Sequence, residues 1–265
     1  MQQREDRVAI LTLNRPDTLN SLDSELMRDF LEAVTSVAED DDVHCVVVTG
    51  AGRGFCSGGD TRASGAAADH MARDPVTEDA ENRDAVVDRR TAWLRRSVEA
   101  TRLLHDMRKP TIAMVNGACA GAGLSIAGAC DLRFAAESAK FVSAFTPMGL
   151  SGDYGGTWYW TQILGSARAR ELYLLSDRYN AAEALEFGLV NRVIADDRLR
   201  DETLAVAHRL AAMPRGGLAF AKDNLNGALH EELAVALDRE SRNMMLARQE
   251  LVDAARADGP KESIG

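Results

Sequence analysis

The chain has 265 residues, of which 46% are apolar, and its formal net charge at pH 7 is −10. This length and composition predict one large folded domain, and the acidic charge argues against nucleic acid as a partner because phosphate binding needs a basic surface. No apolar run in the sequence reaches the roughly 20 residues that span a bilayer. The charged N-terminus also lacks the apolar core of a signal peptide. The sequence therefore predicts a cytoplasmic protein with no membrane partner.

The first half of the chain alternates predicted strands with predicted helices. An apolar–polar alternation predicts a strand over residues 8–13, and apolar residues three and four apart predict an amphipathic helix over residues 21–40, with Ser21 as its N-cap. A continuous apolar run over residues 43–50 predicts a strand that is buried on both faces of a sheet. A single long helix is predicted over residues 84–107, where a Lys-Pro pair ends it.

The second half of the chain becomes more helical. Residues 111–117 predict another buried strand, residues 120–130 open a helix of small residues, and residues 131–144 predict a strand, a turn and a second strand. From residue 168 onward the predicted elements are almost all helices. Residues 63–81 are polar and have no clear period, which predicts a loop. This order predicts one α/β core with a helical C-terminal part.

Two glycine-rich segments, residues 49–60 and 115–128, each follow a predicted buried strand. Neither has the GxGxxG spacing of a dinucleotide-binding turn, and the chain has no GxxxxGK[ST] motif of a P-loop and no GxSxG nucleophile elbow. Glycine lets backbone N–H groups approach a ligand closely. Two such turns after neighbouring strands would therefore aim two N–H groups at one oxygen, as in an oxyanion hole. Tight packing of a helix on a sheet is the alternative reason for the same glycines.

The four cysteines, Cys45, Cys56, Cys119 and Cys130, lie in or beside apolar stretches of the sequence. They form no CxxC pair and no Cys/His cluster with the spacing of metal ligands. We therefore expect them to be buried free thiols, and the sequence predicts no metal site.

Five segments of the chain together resemble the enoyl-CoA hydratase/isomerase (crotonase) superfamily, in the family's order and over nearly the whole length. They are ILTLNRPDTLNSLD, VVVTGAGRGFCSGGD, KPTIAMVNGACAGAGLSIAGACDLRFAAESAKF, GLSGDYGGTWYW and LLSDRYNAAEALEFGLVNRVI. The resemblance implies an α/β fold of the crotonase (ClpP-like) type, in which a spiral of ββα units over residues 1–195 holds the CoA and acyl site. It further implies a C-terminal helical trimerisation region over residues 196–265, and hence a homo-trimer or hexamer.

The resemblance also implies a substrate and a chemistry. Members of this superfamily bind acyl-CoA thioesters and stabilise a thioester enolate with two backbone N–H groups, so we expect no cofactor beyond the CoA thioester substrate itself. By position the two N–H groups fall on Gly59 and on Ala122, where the family usually has glycine. Substrate-binding positions fall on Arg53, Ser57, Gly58, Asp60, Ser125, Phe145 and Trp158. Arg53 is a candidate for the CoA phosphates, with an exposed loop arginine as the alternative, and Asp60 is expected to brace the first turn.

The chain departs from typical hydratases of the superfamily at both catalytic glutamates. Those positions hold Ser125 and Phe145, and neither side chain acts as a general acid or base. Asp153 lies instead where several isomerase relatives carry an acid, among them dienoyl-CoA isomerases and the ring-opening isomerase of phenylacetate breakdown. A single carboxylate suits a 1,3-proton shift, and burial under Phe145, Trp158 and Tyr154 is expected to raise its pKa above the ~3.9 of free Asp. A solvated turn aspartate is the alternative.

These features predict an enoyl-CoA double-bond isomerase with Asp153 as its single acid and base. Three alternatives stay open. They are a hydratase that works with one carboxylate, another enolate reaction such as thioester or C–C hydrolysis or decarboxylation, and a CoA-binding relative without activity.

Overall fold

Two sheets of mainly parallel strands form the centre of the computed structural model, which describes residues 1–60 and 83–257. The larger sheet has the order β1 (Gln2–Glu5), β2 (Val8–Leu13), β3 (Cys45–Gly50), β5 (Thr111–Val115), β7 (Leu132–Ala136) and β10 (Arg192–Ile194). The smaller sheet has the order β4 (Gly54–Cys56), β6 (Ala118–Ala120), β8 (Lys140–Val142) and β9 (Tyr179–Asn180). The strand pairs are parallel except β1 with β2 and β8 with β9. The loop predicted over residues 63–81 lies outside the described residues.

The strands and helices follow a repeated ββα pattern. β3 and β4 precede α2 (Arg83–Ser97) and α3 (Glu99–Asp106), β5 and β6 precede α4 (Ala122–Ala129), and β7 and β8 precede α5 (Gly156–Leu174). In each unit the first strand joins the larger sheet and the second strand joins the smaller sheet. This arrangement confirms the predicted α/β spiral of ββα units.

Helices dominate the C-terminal part, as predicted. There, α6 (Ala181–Phe187) precedes β10, and the described chain is completed by α7 (Leu199–Ala211), α8 (Arg215–Gly227) and α9 (Leu233–Ala257). The remaining helix, α1 (Ser24–Glu39), lies near the N-terminus and follows β2. α7 packs against β3 and β5, whereas α8 and α9 pack against each other. The division of the chain between residues 195 and 196 stays a prediction. Within the described ranges, no helix is both long enough and apolar enough to cross a membrane.

The apolar run predicted as a buried strand forms the middle of the core. Every residue of β3 is buried, and β2 and β5 flank it as parallel strands. A strand that is covered on both faces needs apolar side chains at successive positions, which is why this run is continuous rather than alternating. The four cysteines are buried and free, as predicted.

The segment predicted as one helix over residues 84–107 forms two helices instead. α2 and α3 meet at Val98, and α3 buries Ala100 and Leu104 against the core. α2 has no fully buried side chain over residues 84–97. The two parts therefore pack in different surroundings, and the helix axis breaks where the burial changes.

The N-cap of α1 is Asp23 rather than the predicted Ser21. The Asp23 side chain accepts a hydrogen bond from the Leu26 N–H at 2.8 Å, which satisfies one of the free donors in the first turn. The carbonyl oxygen of Ser21 instead accepts a hydrogen bond from the guanidinium group of Arg15 at 2.7 Å. The start of α1 is thus fixed by a carboxylate that also lies close to Arg15.

Candidate active site

A cavity of about 390 Å³ lies where the segments after β4 and β6 meet the loop from β8 to α5. Seven of the predicted site residues line it: Ser57, Gly58, Gly59, Asp60, Ala122, Phe145 and Asp153. Apolar side chains supply much of the remaining wall, among them Leu22, Met27, Trp93, Leu94, Met148 and Leu150. The cavity therefore brings both glycine-rich turns together with the candidate acid in apolar surroundings.

The two glycine-rich turns touch each other at this cavity. Gly58 has a φ of +94° and Gly121 a φ of +53°, conformations that residues with a side chain rarely adopt. A Cβ atom at residue 58 would lie 3.2 Å from the Ala120 carbonyl oxygen and 3.6 Å from the Ala122 amide nitrogen. Glycine at residue 58 thus permits two stretches of backbone to approach each other at the site.

Tight packing explains other glycines of the second segment. A Cβ atom at residue 123 would lie 2.3 Å from the carbonyl oxygen of Cys56, and one at residue 128 would lie 3.1 Å from the Trp160 ring. Both glycines lie in α4, which therefore rests closely on β4 and α5. Tight packing thus accounts for Gly123 and Gly128, whereas Gly58 and Gly121 lie where the two turns meet at the cavity.

The amide groups of Gly59 and Ala122 are available at the cavity. Neither N–H donates to an acceptor in the part of the chain that the structure describes. Ala122 is the first residue of α4, where N–H groups lack intrahelical partners and the helix dipole favours negative charge. Its backbone is helical, so alanine occupies this position without strain although the family usually has glycine there.

Two backbone hydrogen bonds orient Gly59. The Leu22 N–H donates to the Gly58 carbonyl oxygen at 2.8 Å, and the Asp60 N–H donates to the Leu22 carbonyl oxygen at 3.0 Å. This pattern is a parallel bridge between Leu22 and Gly59. In such a bridge, the N–H of the bridged residue points to the side opposite its partner. The Gly59 N–H therefore points away from Leu22.

Asp153 lies on a tight loop and is held in a partly desolvated position. Three residues around it have positive φ, namely Gly152 at +110°, Tyr154 at +52° and Gly155 at +72°. Its Oδ1 atom is buried and has no hydrogen-bond partner among the described residues. Burial raises the pKa of Asp153 from 3.8 to about 6. A carboxyl group with this pKa both accepts and returns a proton near neutral pH.

The apolar cover of Asp153 differs in part from the prediction. Phe145 and Tyr154 are buried and line the cavity, as expected. Trp158 does not line it, contrary to the prediction: its side chain is 40% exposed and its ring contacts His105 at 5.2 Å, in a separate groove. The reason is helical periodicity, because α5 buries Tyr159 and leaves Trp158 on its outer side.

Ser125 and Arg53, two further predicted substrate-binding residues, also lie outside the cavity lining. Ser125 is fully buried in α4, and its Oγ atom would lie 2.2 Å from a Cβ atom at residue 156. It therefore packs beneath the loop that carries Asp153 and does not face the open space. Arg53 is exposed in the turn between β3 and β4, and its role in binding CoA phosphates stays a prediction.

The two carboxylates at the cavity have different surroundings. The Asp60 side chain is 6% exposed, and its Oδ2 atom lies 2.8 Å from Nη2 of Arg15. Asp153 has no cationic partner within the described ranges. A buried carboxylate with a paired arginine keeps its charge, whereas one without a cation exchanges its proton more easily. Asp153 is therefore the better acid and base of the two.

The sequence-based reasoning missed Asn20, which braces the first turn from behind. Asn20 is fully buried with a φ of +58°, and asparagine adopts this conformation more readily than most residues. Its Oδ1 atom accepts from the Arg15 N–H at 2.8 Å, and its Nδ2 atom donates to the carbonyl oxygens of Ala51 and Gly54 at 2.9 Å and 2.7 Å. In the sequence, the signal that could have identified this role was an asparagine in the turn that follows β2.

The chain is similar to known proteins over nearly its whole length. The profile of the family described as enoyl-CoA hydratase/isomerase matches residues 3–253. The chain is 39% identical to 1,2-epoxyphenylacetyl-CoA isomerase of Escherichia coli K12 over 92% of this chain and 87% of the relative. Its fold is similar to that of enoyl-CoA hydratase subunit I of Geobacillus kaustophilus HTA426, with a TM-score of 0.81, 30% identity, and coverage of 98% of this chain and 95% of that one.

A further similar structure contains a ligand. It is a protein of Thermobifida fusca YX assigned as an enoyl-CoA hydratase and solved in complex with CoA. The TM-score is 0.82 at 26% identity, and the match covers 96% of this chain and 94% of that one. Fold, sequence and profile agree over nearly the whole length. The chain belongs to the enoyl-CoA hydratase/isomerase family, within the crotonase superfamily.

Proposed function

We propose that the protein is an enoyl-CoA isomerase that moves a carbon–carbon double bond, with Asp153 as its single acid and base. One observation carries this proposal. Asp153 lines the same cavity as the Gly59 and Ala122 turns. One oxygen of its carboxylate is buried without a hydrogen-bond partner among the described residues, and the pKa of the group is raised to about 6. The Asp153 carboxylate moves protons, and the N–H groups of Gly59 and Ala122 stabilise the oxyanion that forms when a proton leaves.

The reaction would proceed in two proton transfers. Ionised Asp153 removes a proton from the carbon α to the thioester carbonyl of a 3-enoyl-CoA, and the electron pair of that C–H bond moves into a dienolate. The dienolate oxygen accepts hydrogen bonds from the N–H groups of Gly59 and Ala122. Protonated Asp153 then returns the proton to the γ carbon, which gives the 2-enoyl-CoA and restores the carboxylate. No water, oxidant or further cofactor enters the balance.

The presence of Ser125 and Phe145 at these two positions favours isomerisation over hydration. Hydration adds water across the double bond, and typical hydratases of the superfamily use a glutamate at each of these two positions. Here Ser125 is fully buried outside the cavity lining, and Phe145 contributes an apolar ring to the wall. The E. coli relative is also named as an isomerase. A hydratase that works with Asp153 alone is the competing function.

We propose that the substrate is an acyl-CoA thioester with an apolar acyl group. The solved relative from Thermobifida fusca holds CoA, and the cavity beside the Gly59 and Ala122 turns has a largely apolar wall. Arg53, exposed in the turn that precedes β4, is the candidate for the CoA phosphates because arginine binds phosphate with two donors.

We further propose that the chain forms a homo-trimer or hexamer. α9 carries large apolar residues at seven-residue intervals on one face, and they are exposed in the single chain: Leu237 at 53%, Met244 at 65% and Leu251 at 54%. Such a continuous apolar stripe on a surface helix is typical of a surface that packs against another chain. A second copy of this chain is the partner that the family resemblance favours.

The experiment is to incubate the enzyme with a 3-enoyl-CoA in D2O. An isomerase gives the absorbance of the conjugated 2-enoyl thioester and incorporates deuterium at the α and γ carbons. Asp153→Asn should abolish both while still binding the acyl-CoA, and the control Asp41→Asn, at an exposed carboxylate paired with Arg215, should retain both. Full turnover by Asp153→Asn would exclude the mechanism.

Two other results would replace the proposed activity. Formation of a 3-hydroxyacyl-CoA from a 2-enoyl-CoA, without exchange at the γ carbon of a 3-enoyl-CoA, would establish a hydratase instead. Binding of acyl-CoA without turnover of any 2-enoyl or 3-enoyl thioester would identify a relative without this activity.

A further inference from the structure

Arg15 joins the turn that carries Gly59 to the start of α1. Its Nη2 atom lies 2.8 Å from Asp60 Oδ2, and its Nε atom lies 3.3 Å from Asp23 Oδ2. Its Nη1 atom donates to the Ser21 carbonyl oxygen at 2.7 Å. One guanidinium group thus bridges two carboxylates and one carbonyl oxygen from two separate parts of the chain, which uses its fixed planar fork of donors.

Both carboxylates that Arg15 bridges are held in place by the structure around them. Asp23 is the N-cap of α1, so its side chain is tied to the first turn of a 16-residue helix. Asp60 is buried, and it follows directly after Gly59. Arg15 itself is only 29% exposed, so its ion pairs are screened less by solvent than pairs on the open surface. The ion pairs of Arg15 therefore fix Asp60, and with it the turn that carries Gly59, relative to α1.

The parallel β-bridge between Leu22 and Gly59 lies directly beside both carboxylates, and it sets the direction of the Gly59 N–H. The segment that contains Leu22 pairs with Gly58 and Asp60 by hydrogen bonds of 2.8 Å and 3.0 Å. Arg15 contacts the residues on both sides of Leu22 and, on the other strand of the bridge, the residue after Gly59. Loss of Arg15 would allow the two segments to shift relative to each other, and a small shift misdirects an oxyanion donor.

We propose that Arg15 is a positioning residue of the oxyanion site, acting through Asp60 to hold the Gly59 N–H in its productive direction. Arg15 is not among the described residues that line the cavity, so it does not contact the substrate there. This inference rests on the proposed function, since it assigns Arg15 to the enolate-stabilising part of that same site. The role predicts loss of enolate stabilisation with retention of ground-state binding.

The test uses acetoacetyl-CoA, a 1,3-dicarbonyl thioester whose enolate absorbs in the near ultraviolet. Titration of the bound compound measures how strongly the protein stabilises the enolate over the neutral form. Wild-type enzyme is expected to lower the ionisation pKa of bound acetoacetyl-CoA, and Arg15→Met should reduce this lowering by about one unit, a tenfold loss. The kcat for 3-enoyl-CoA should fall about ten- to a hundredfold, whereas binding of saturated butyryl-CoA should change less than about threefold.

Two further variants separate positioning from general damage. Arg15→Lys keeps one charge but not the three-way bridge, so it should show an intermediate loss of enolate stabilisation even if Arg15→Met folds poorly. Arg200→Met removes an arginine from an exposed ion pair with Glu5 at 2.5 Å and should behave as wild type.

Three results would overturn the inference. Unchanged ionisation of acetoacetyl-CoA in both Arg15 variants, with the wild-type protein lowering it, would exclude the role of Arg15 and leave the proposed isomerase intact. Equal loss of butyryl-CoA binding and of enolate stabilisation would show a merely structural role. A wild-type protein that does not lower the ionisation pKa at all would exclude the oxyanion site itself, and the role of Arg15 with it.

Discussion

Gly58 and Ala122 meet backbone to backbone, since a Cβ atom at residue 58 would lie only 3.6 Å from the Ala122 amide nitrogen. These residues lie in turns that follow strands of the smaller sheet, β4 and β6. Their contact is what brings two N–H donors from separate ββα units to one cavity. The same contact makes residue 58 a sensitive position for substitution.

Gly58→Ala should reduce kcat at least about tenfold, because the added Cβ would press on the Ala120 carbonyl oxygen at 3.2 Å and displace one turn from the other. The matched control is Gly165→Ala. Gly165 has a similar positive φ of +76°, yet a Cβ there would meet nothing within 4 Å. Both variants should lose stability from their positive φ, and Gly165→Ala by about 1–3 kcal/mol because its ψ of 162° lies in a region that alanine rarely adopts, but Gly165→Ala should keep its kcat. Equal activities would contradict the role of the contact.

The pH dependence of the isomerase reaction should report the ionisation of Asp153. The base must be ionised to remove a proton, and burial raises the pKa of Asp153 to about 6. The kcat/KM should therefore fall below pH 6 with the slope of a single proton, and stay level from pH 7 to pH 8. Steady-state rates with a 3-enoyl-CoA between pH 5 and pH 8 provide the measurement. A level profile down to pH 5 would show that a group with a lower pKa is the base.

Asp153→Asn should stabilise the fold at neutral pH. The pKa of Asp153 is about 6 in the folded chain and 3.8 in its ordinary state, so between these values the folded chain binds more protons than the unfolded chain. Wild-type stability therefore decreases as pH rises through this range, by up to about 3 kcal/mol in total, and the asparagine variant avoids that loss. Urea unfolding at pH 4 and pH 7.5 should show the benefit of the variant growing with pH.

Asp41→Asn is the control for that measurement, and its expected effect on stability has the opposite sign. The guanidinium group of Arg215 holds the pKa of Asp41 below its ordinary value, so ionisation of Asp41 favours the folded state. Asp41→Asn should therefore not stabilise the protein at pH 7.5. A gain in both variants would point to a general effect of removing negative charge from an acidic chain.

Lys222→Met should destabilise the protein by about 2–3 kcal/mol, because it removes a buried lysine that pairs with the partly buried carboxylate of Asp131. Lys222 Nζ lies 2.8 Å from Asp131 Oδ2 and also donates to the carbonyl oxygens of Leu104 and Lys109 at 3.1 Å. These bonds join α8 to the core. Lys140→Met, at an exposed lysine in β8, should change the free energy of unfolding little. Equal effects in denaturant titration would contradict this account.

Met244→Glu should shift the protein to a smaller assembly if the apolar stripe of α9 packs against another copy. A charge buried in an apolar interface without a partner opposes association. Light scattering after gel filtration measures the mass of each variant. Arg242→Glu, at an exposed polar position of the same helix, should keep the wild-type mass. A monomeric wild-type protein would contradict the proposed oligomer.

Sequence patterns identified the β3 core strand and the glycine-rich turns because their causes are local. The continuous apolar run of β3 is required by burial on both faces, and the glycines near residues 58 and 121 have positive φ. The same patterns failed where distant packing decides. They did not show that the helix over residues 84–107 breaks at Val98, or that Trp158 lies outside the cavity.

The sequence by itself determined the family, the ββα order, and the choice of Asp153 as the candidate acid, because these depend on residue types in a fixed order along the chain. Only the tertiary structure decided which of those residues share a cavity, since the Gly59 and Ala122 turns meet through the pairing of β4 with β6. It also decided how far the pKa of Asp153 is raised, to about 6, because the size of the rise depends on how completely the folded chain buries the carboxyl group. The link from Arg15 to Asp60 spans 45 positions and exists only because α1 and the first turn fold against each other.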